Sequence, residues 1–240
     1  MTGSREDVDP LKVTDPLRAA AETMRQVRER CVWSQRITHR DLVPYLIEES
    51  HEVIDAVEAG DRAGLREELG DLLWQVLFHS AVAAQDPDDP FDIDDVARGL
   101  AEKMVRRHPH VFAGAVATTP EEVLVHWNAA KAAEKRERRS VLDGVPRGMP
   151  ALARAQKVLG RAATIPTAPA PPPDTTTGAG PASEAELGDA LLRLVARARE
   201  RGWDAERALR ERVRALEAEV RAAEAADRAA EAVGRPRGEA

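Results

Sequence analysis

The sequence predicts an all-α protein: a helical bundle built on an antiparallel helix hairpin that carries an acidic site, with a C-terminal helical remnant beyond a Pro-rich linker. Three observations predict it. Aromatic residues are only 3% of the 240, although 43% are apolar, so Ala, Leu and Val must fill the core, which favours helix-on-helix contacts over sheets. Apolar residues recur at three- and four-residue spacing along successive segments, the period of an amphipathic helix. Asp, Thr, Pro and Gly punctuate those segments at positions where helices start and stop.

Residues 1–14 are polar and aperiodic, a composition expected to be disordered. Asp15-Pro16 opens the first helix, a capping side chain followed by Pro at the first helical position. Leu17, Ala20, Met24, Val27 and Cys31 follow at helical spacing. An irregular segment, 32–40, precedes a second helix from about Asp41 to Ala59, with Leu42, Tyr45, Leu46, Val53 and Val57 on one face. Gly60-Asp61 stops that helix and caps a third, whose apolar stripe is Leu65, Leu69, Leu72, Leu73, Val76 and Leu77. After the loop Asp86 to Pro90, a fourth helix spans about Ile93 to Arg107. Thr119-Pro120-Glu121-Glu122 reads as a capping box opening a fifth, through Trp127 to about Arg138, and a weaker sixth follows Pro150.

The stretch from Thr164 to Ser183 is dense in Pro, Thr, Ala and Gly and almost free of large apolar side chains, a linker composition. Two more helices follow it, from Glu184 to Arg201 and from Asp204 to about Val233. The second carries Leu209, Val213, Leu216 and Val220 at heptad spacing and needs a partner. The expected organisation is a disordered 1–14, a catalytic helical domain 15–163, a linker 164–183 and a remnant 184–240. Glu68-Leu69-Gly70-Asp71 recurs as Glu186-Leu187-Gly188-Asp189, and Phe91-Asp92 as Trp203-Asp204. Two matches in the same order indicate a duplicated helical unit.

Composition narrows the function. A net charge of -7 argues against a nucleic-acid partner, which selects a basic excess. The single cysteine, Cys31, excludes an intrachain disulfide and a Cys-based zinc cluster. No run of about eighteen apolar residues marks a membrane span. The first ten residues lack an apolar signal core, so a cytoplasmic location is expected, without a membrane partner.

The chemistry begins at Glu48-Glu49-Ser50-His51-Glu52. On a helix Glu49 and Glu52 are three apart and Glu48 and Glu52 four apart, so the three crowd one side. Glu49 falls at the edge of the apolar arc of Leu46 and Val53, and something must offset its charge. Glu68 and Asp71 repeat the spacing on the third helix. Folding the two helices about Gly60-Asp61 puts Glu52 about 13 Å and Glu68 about 11 Å from the hinge, with Glu49 about 17 Å and Asp71 about 16 Å away. The acids come level in two pairs. Converging carboxylates repel unless cations lie among them, and all-oxygen ligation suits Mg²⁺ or Mn²⁺. The alternative is a solvated acidic face. A di-iron carboxylate site would need a second Glu-x-x-His beside Glu48 and His51, and no other His has an acid three residues before it.

Paired Glu-Glu-x-x-Glu and Glu-x-x-Asp helices resemble the MazG family of nucleoside triphosphate pyrophosphohydrolases, of the all-α NTP pyrophosphatase group. Pro44 to Glu49, Glu67 to Leu73, Arg106 to Phe112, Trp127 with Lys131, and Pro150 to Lys157 extend the likeness over roughly Asp15 to Arg161. The resemblance implies an enzyme that hydrolyses NTP to NMP and pyrophosphate with Mg²⁺ (Mn²⁺ being the other candidate), cleaning the nucleotide pool as a homodimer or higher homo-oligomer. Carried over by position, Glu49, Glu52, Glu68 and Asp71 become metal ligands. Glu48 becomes a neighbouring base or water-orienting acid, so that Glu48 and Glu49 form the catalytic pair. Lys103, Arg106, Arg107 and Lys131 are the matching polyphosphate cations. Trp127 either stacks on a base or sits in the core, and Trp33 lies near the pocket. His108 and His110 flank Pro109 and are expected to shape the turn there.

Two departures stand out. The family's Cys-Pro-Trp-Asp with a following Gln-Thr is here Cys31-Val32-Trp33-Ser34 followed by Ile37-Thr38, which removes an Asp and a Gln from the loop. The remnant keeps Glu186 and Asp189 but has no Glu-Glu-x-x-Glu helix. Ala215, Ala218 and Glu219 stand opposite Lys103, Arg106 and Arg107, so packing or oligomerisation is its expected role. The alternative function for the whole chain is a catalytically silent helical oligomer that binds nucleotide or protein partners.

Overall fold

A computed structural model describes residues 9, 12–134, 140–165 and 180–234, with side chains to residue 222. The expectations for 1–8, for most of the linker (166–179) and for the fifth helix beyond residue 134 fall outside the described residues. The described residues are all-α and contain no strand. The helices are α1 (Pro16–Arg30), α2 (His39–Ala59), α3 (Arg62–Ala83), α4 (Ile93–Arg107), α5 (Pro109–Phe112), α6 (Pro120–Ala133), α7 (Ala151–Ala162), α8 (Glu184–Glu200) and α9 (Ala205–Gly234), with a 3-10 turn at Ser34–Arg36. They divide into two compact units, Met1–Glu134 and Lys135–Ala240.

In the first unit, local chemistry starts and stops the helices. Asp15 accepts from the backbone N–H groups of Leu17 and Arg18. The second helix begins two residues earlier than the sequence suggested. Thr38 caps the Asp41 N–H while the Asp41 carboxylate accepts from the Thr38 N–H, which makes Asp41 the third helical residue of a capping box. The α2–α3 hairpin turns at Gly60, whose φ of 68° is the left-handed conformation that glycine adopts without a Cβ penalty. Asp61 then caps the Ala63 and Gly64 N–H groups. At α6 the expected capping box is corrected. Thr119 caps the Glu122 N–H as foreseen, but Glu122 reaches back to the N–H and hydroxyl of Thr118 at 2.6 and 3.0 Å, not to the N–H of Thr119.

The core is Met24, Leu42, Leu77 and Phe78, joined by half-buried Ala20, Ala21, Ile37, Leu73, Trp74 and Ile93. Each such large side chain contributes roughly 1.5–3 kcal/mol on burial. α2 and α3 share the broadest interface; α1 packs on α3, α4 on α3, and α6 on α4. The apolar faces read from the sequence are only partly covered. Leu42 and Leu77 are buried, whereas Tyr45, Leu46, Val57, Leu69 and Val76 are exposed. Periodicity marks an apolar face but does not say whether the chain itself supplies a cover.

The second unit packs α7 against both α8 and α9, which also touch each other, with Val195 buried among them. Gln156 ties α7 to the start of α9, donating to the Trp203 carbonyl at 3.0 Å and accepting from the Ala205 N–H. Glu206 accepts from the Ala153 N–H at 3.3 Å.

Candidate metal and nucleotide site

The acids meet where α2 and α3 cross. Glu49, Glu68 and Asp71 can each present an oxygen so that all three lie within 4.8 Å of one another. Glu52 lies beside Glu68, close enough to raise its pKa. Glu49 and Glu68 are half-buried; Glu48, Glu52 and Asp71 are exposed. Burial, then the neighbouring Asp71, Glu52, Glu48 and Glu68, raises the pKa of Glu49. Burial, then Glu52, Glu67 and Asp71, raises that of Glu68. The strongest electrostatic neighbour across the hairpin is therefore Asp71 for Glu49 and Glu52 for Glu68, the two pairs that helical rise brings level. Among the described residues this is the only group of three or more metal-ligating side chains so closely placed. Four neighbouring carboxylates, two of them with pKa values raised by burial and by one another, fit a hard divalent cation.

The candidate cations lie on α4 and α6. Arg107 donates from Nη2 and Nε to Glu134 at 2.6 and 3.2 Å, and Arg106 lies 3.5 Å from the same carboxylate. The hydrogen bond from Arg107 holds the pKa of Glu134 below its ordinary value. The Arg107 guanidinium sits 4.9 Å from the centre of the Trp127 ring, within cation–π range. His108 meets that tryptophan edge-on at 5.3 Å. Lys103 and Lys131 are half-buried. Glu134 escaped the sequence reading because it ends α6 beside a run of mixed charges and belongs to no motif.

The loop before α2 is fastened from below. Buried Arg28 donates from Nη1 to the carbonyls of Ser34 and Ile37, and from Nε to Gln85 at 3.0 Å. Trp33 stays half-exposed, edge-on to Tyr45 at 6.3 Å and Phe78 at 6.1 Å. Tyr45 precedes Glu49 by one turn, about 6 Å of helix. A pair invisible to sequence motifs lies at the same end: His39 and His79 stack, with their Nδ1 atoms 2.8 Å apart. His108 and His110 do frame a turn. His108 ends α4 with its Nδ1 2.7 Å from the Met104 carbonyl, and Pro109 starts the short α5 that the sequence did not suggest.

A cleft of about 530 Å³ lies between α1, the end of α3 and the start of α4, apart from the acid cluster. Its charged walls are self-satisfied: Arg18 pairs with Asp94 at 2.6 Å, and Arg25 with Glu22 and Glu29 at 2.5 and 2.7 Å. None of the described helices is long and apolar enough to cross a membrane.

Comparison with known proteins adds to this geometry. The family model described as the MazG nucleotide pyrophosphohydrolase domain matches residues 37–112, which include all five acids. An uncharacterized 26.1 kDa protein of Streptomyces cacaoi is 50% identical over 189 residues, 79% of this chain and 74% of that protein. The nucleoside triphosphate pyrophosphohydrolase of Mycolicibacterium smegmatis is 43% identical over 187 residues, 75% of this chain and 57% of that enzyme. The Escherichia coli K12 protein of the same name is 39% identical over 153 residues, 63% of this chain and 57% of that protein. The chain thus spans little more than half the length of these two pyrophosphohydrolases.

Proposed function

The chain belongs to the MazG family, and from that premise we propose that it hydrolyses nucleoside triphosphates to the monophosphate and pyrophosphate, using a divalent cation held by Glu49, Glu52, Glu68 and Asp71. The observation that carries the proposal is the convergence of carboxylate oxygens from α2 and α3 within 4.8 Å, on acids whose spacing matches the family's motif. Mg²⁺ is the expected ion and Mn²⁺ the alternative. When bound, the cation would neutralise polyphosphate charge and make a water nucleophilic near neutral pH.

The protein's own groups supply the rest. Glu49 ligates as the carboxylate, and Glu48, exposed at the rim of the cluster, serves as the base or orients the attacking water toward the α-phosphorus. Lys103, Lys131, Arg106 and Arg107 hold the polyphosphate, whose oxygens compete with Glu134 for the two arginines. Trp127, already faced by the Arg107 guanidinium, is the surface on which a base stacks, and Trp33 borders the pocket from the loop. The role is nucleotide-pool cleaning in the cytoplasm.

Val43, Ile47, Leu69 and Val76 are exposed on the acidic helices, which supports a homo-oligomer through that face. Residues 184–240 are a truncated copy that contributes no active site, since Ala215, Ala218 and Glu219 stand where the cations would be. Product analysis tests the assignment. Each NTP incubated with Mg²⁺ should yield NMP and pyrophosphate in equal amounts. Release of orthophosphate would refute it, and nucleotide binding without turnover would favour the silent oligomer.

A further inference from the structure

We propose that His39 and His79 form a pH-sensitive latch, which closes the α2–α3 hairpin at the end away from Gly60 and releases when both imidazoles become cationic. The latch goes beyond the proposed hydrolysis and does not rest on it.

The turn at Gly60 holds one end of the hairpin. At the other end His39 is the first residue of α2, and His79 lies one turn before the end of α3. Their Nδ1 atoms are 2.8 Å apart, and their rings are parallel within 9° with centres 5.1 Å apart. That separation equals the nitrogen–nitrogen distance plus a ring radius at each end. The rings therefore meet edge to edge in nearly one plane, with the two nitrogens aimed at each other, the geometry of a straight N–H···N hydrogen bond.

Such a bond holds one proton between the two nitrogens. In the neutral pair one Nδ1–H donates and the other Nδ1 accepts, and in the monocation the same bond is charge-assisted. A second added proton sets N–H against N–H and cation against cation. The surroundings do not offset that charge. Burial, then the charge of His39, lowers the pKa of His79, and its Nε2 is buried without a partner. Asp86 faces His39 from the loop after α3; its carboxylate is held below its ordinary pKa first by the N–H groups of Asp88 and Asp89 and last by a charge on His39. Asp41 is engaged by Thr38. Against these acids stand Arg36 and Arg40, which flank His39 in the chain, and Arg28 of α1, bound to the Ile37 carbonyl and to Gln85.

Once parted, each imidazole regains water, so the open hairpin binds one proton more than the closed one. The latch is therefore complete above the ordinary histidine value of about 6.5 and is lost as pH falls below it. What comes away from α3 is the first turn of α2, into which the loop of Trp33 runs.

Hydrogen exchange of the full-length chain tests this. Corrected for the intrinsic rate, opening at residues 41–46 should rise by up to ten-fold per pH unit as pH falls from about 6.5 to about 5.5. H39Q/H79Q, whose amides can still bond N–H to C=O but do not titrate, should show no such rise. The acids and the other histidines are common to both proteins and drop out of the comparison. ¹⁵N NMR of the unmodified chain reads the pair without any variant: at about pH 7.5 the two Nδ1 atoms should together carry one proton, and both should be protonated only where the exchange has risen. Exchange indifferent to pH in the unmodified chain, an equal acid response in H39Q/H79Q, or two bare or two protonated Nδ1 atoms at about pH 7.5 would overturn the proposal.

Discussion

Replacing Glu49 by Gln should move stability in opposite directions with and without metal. Glu49 and Asp71 oxygens approach within 4.8 Å. Two unit charges at that distance repel by about 1 kcal/mol in bulk water and about 3.5 kcal/mol at an effective dielectric near 20. Glu49 is half-buried and Asp71 exposed, so solvent screening keeps the relief near the lower figure, ~1 kcal/mol. In EDTA at neutral pH, E49Q should therefore melt roughly 4 °C higher than the unmodified protein. Saturating Mg²⁺ reverses the order. A cation at about 100 times its Kd adds ~2.7 kcal/mol to a protein that binds it, roughly 10 °C, and little to one that has lost a ligand. Circular dichroism melts at 222 nm in EDTA and in MgCl₂ give the four numbers. A lower Tm for E49Q in EDTA, or an equal gain from Mg²⁺ in both proteins, would refute the repulsive-cluster reasoning.

The raised pKa values of Glu49 and Glu68 give pH dependences of opposite sign. The folded, metal-free protein holds protons that the unfolded chain releases, so its stability should fall as pH rises from the ordinary carboxylate value of about 4.3 through the raised folded values. Mg²⁺ affinity should climb over the same interval, as isothermal titration at stepped pH would report. Lys103→Ala and Lys131→Ala should raise KM for NTP several-fold while changing kcat less; unchanged kinetics in both would remove them from the polyphosphate site. Deleting residues 164–240 should leave metal-dependent turnover per folded first unit intact but strip α7 of the α8 and α9 surfaces it packs against. The far-UV signal should then fall by more than the deleted helices account for. A folded truncation that binds metal yet does not turn over would place the tail in the active site.

Much of the fold was legible because it is set locally. Asp15-Pro16 and Gly60-Asp61 act on backbone N–H and C=O groups a few residues away, and nothing distant needs to be known to read them. The pairing of Glu49 with Asp71 and Glu52 with Glu68 was legible for a related reason: a two-residue hinge and a fixed rise leave one register. What could not be read depended on tertiary choice. The stripe from Leu65 to Leu77 looks uniform, yet Leu77 is buried in the core beside Met24 of α1 while Leu69 and Val76 stay exposed. The clamp of Glu134 on Arg106 and Arg107 joins α6 to α4, a separation with no periodic signal. α7 carries family-like residues, yet its packing in the second unit rests on Gln156 and Ala153 meeting the start of α9. The histidine pair at positions 39 and 79 is a similar meeting of residues unremarkable alone.

The most direct test of the central claim is the fate of oxygen from solvent. Hydrolysis of an NTP in H₂¹⁸O with Mg²⁺, followed by mass spectrometry of both products, locates the phosphorus attacked. Attack of water on the α-phosphorus, served by the acids of α2 and α3, puts one ¹⁸O in the nucleoside monophosphate and none in pyrophosphate, and Glu52→Gln abolishes the reaction while leaving the helical spectrum unchanged. Label in the pyrophosphate, or full turnover by Glu52→Gln, would contradict it.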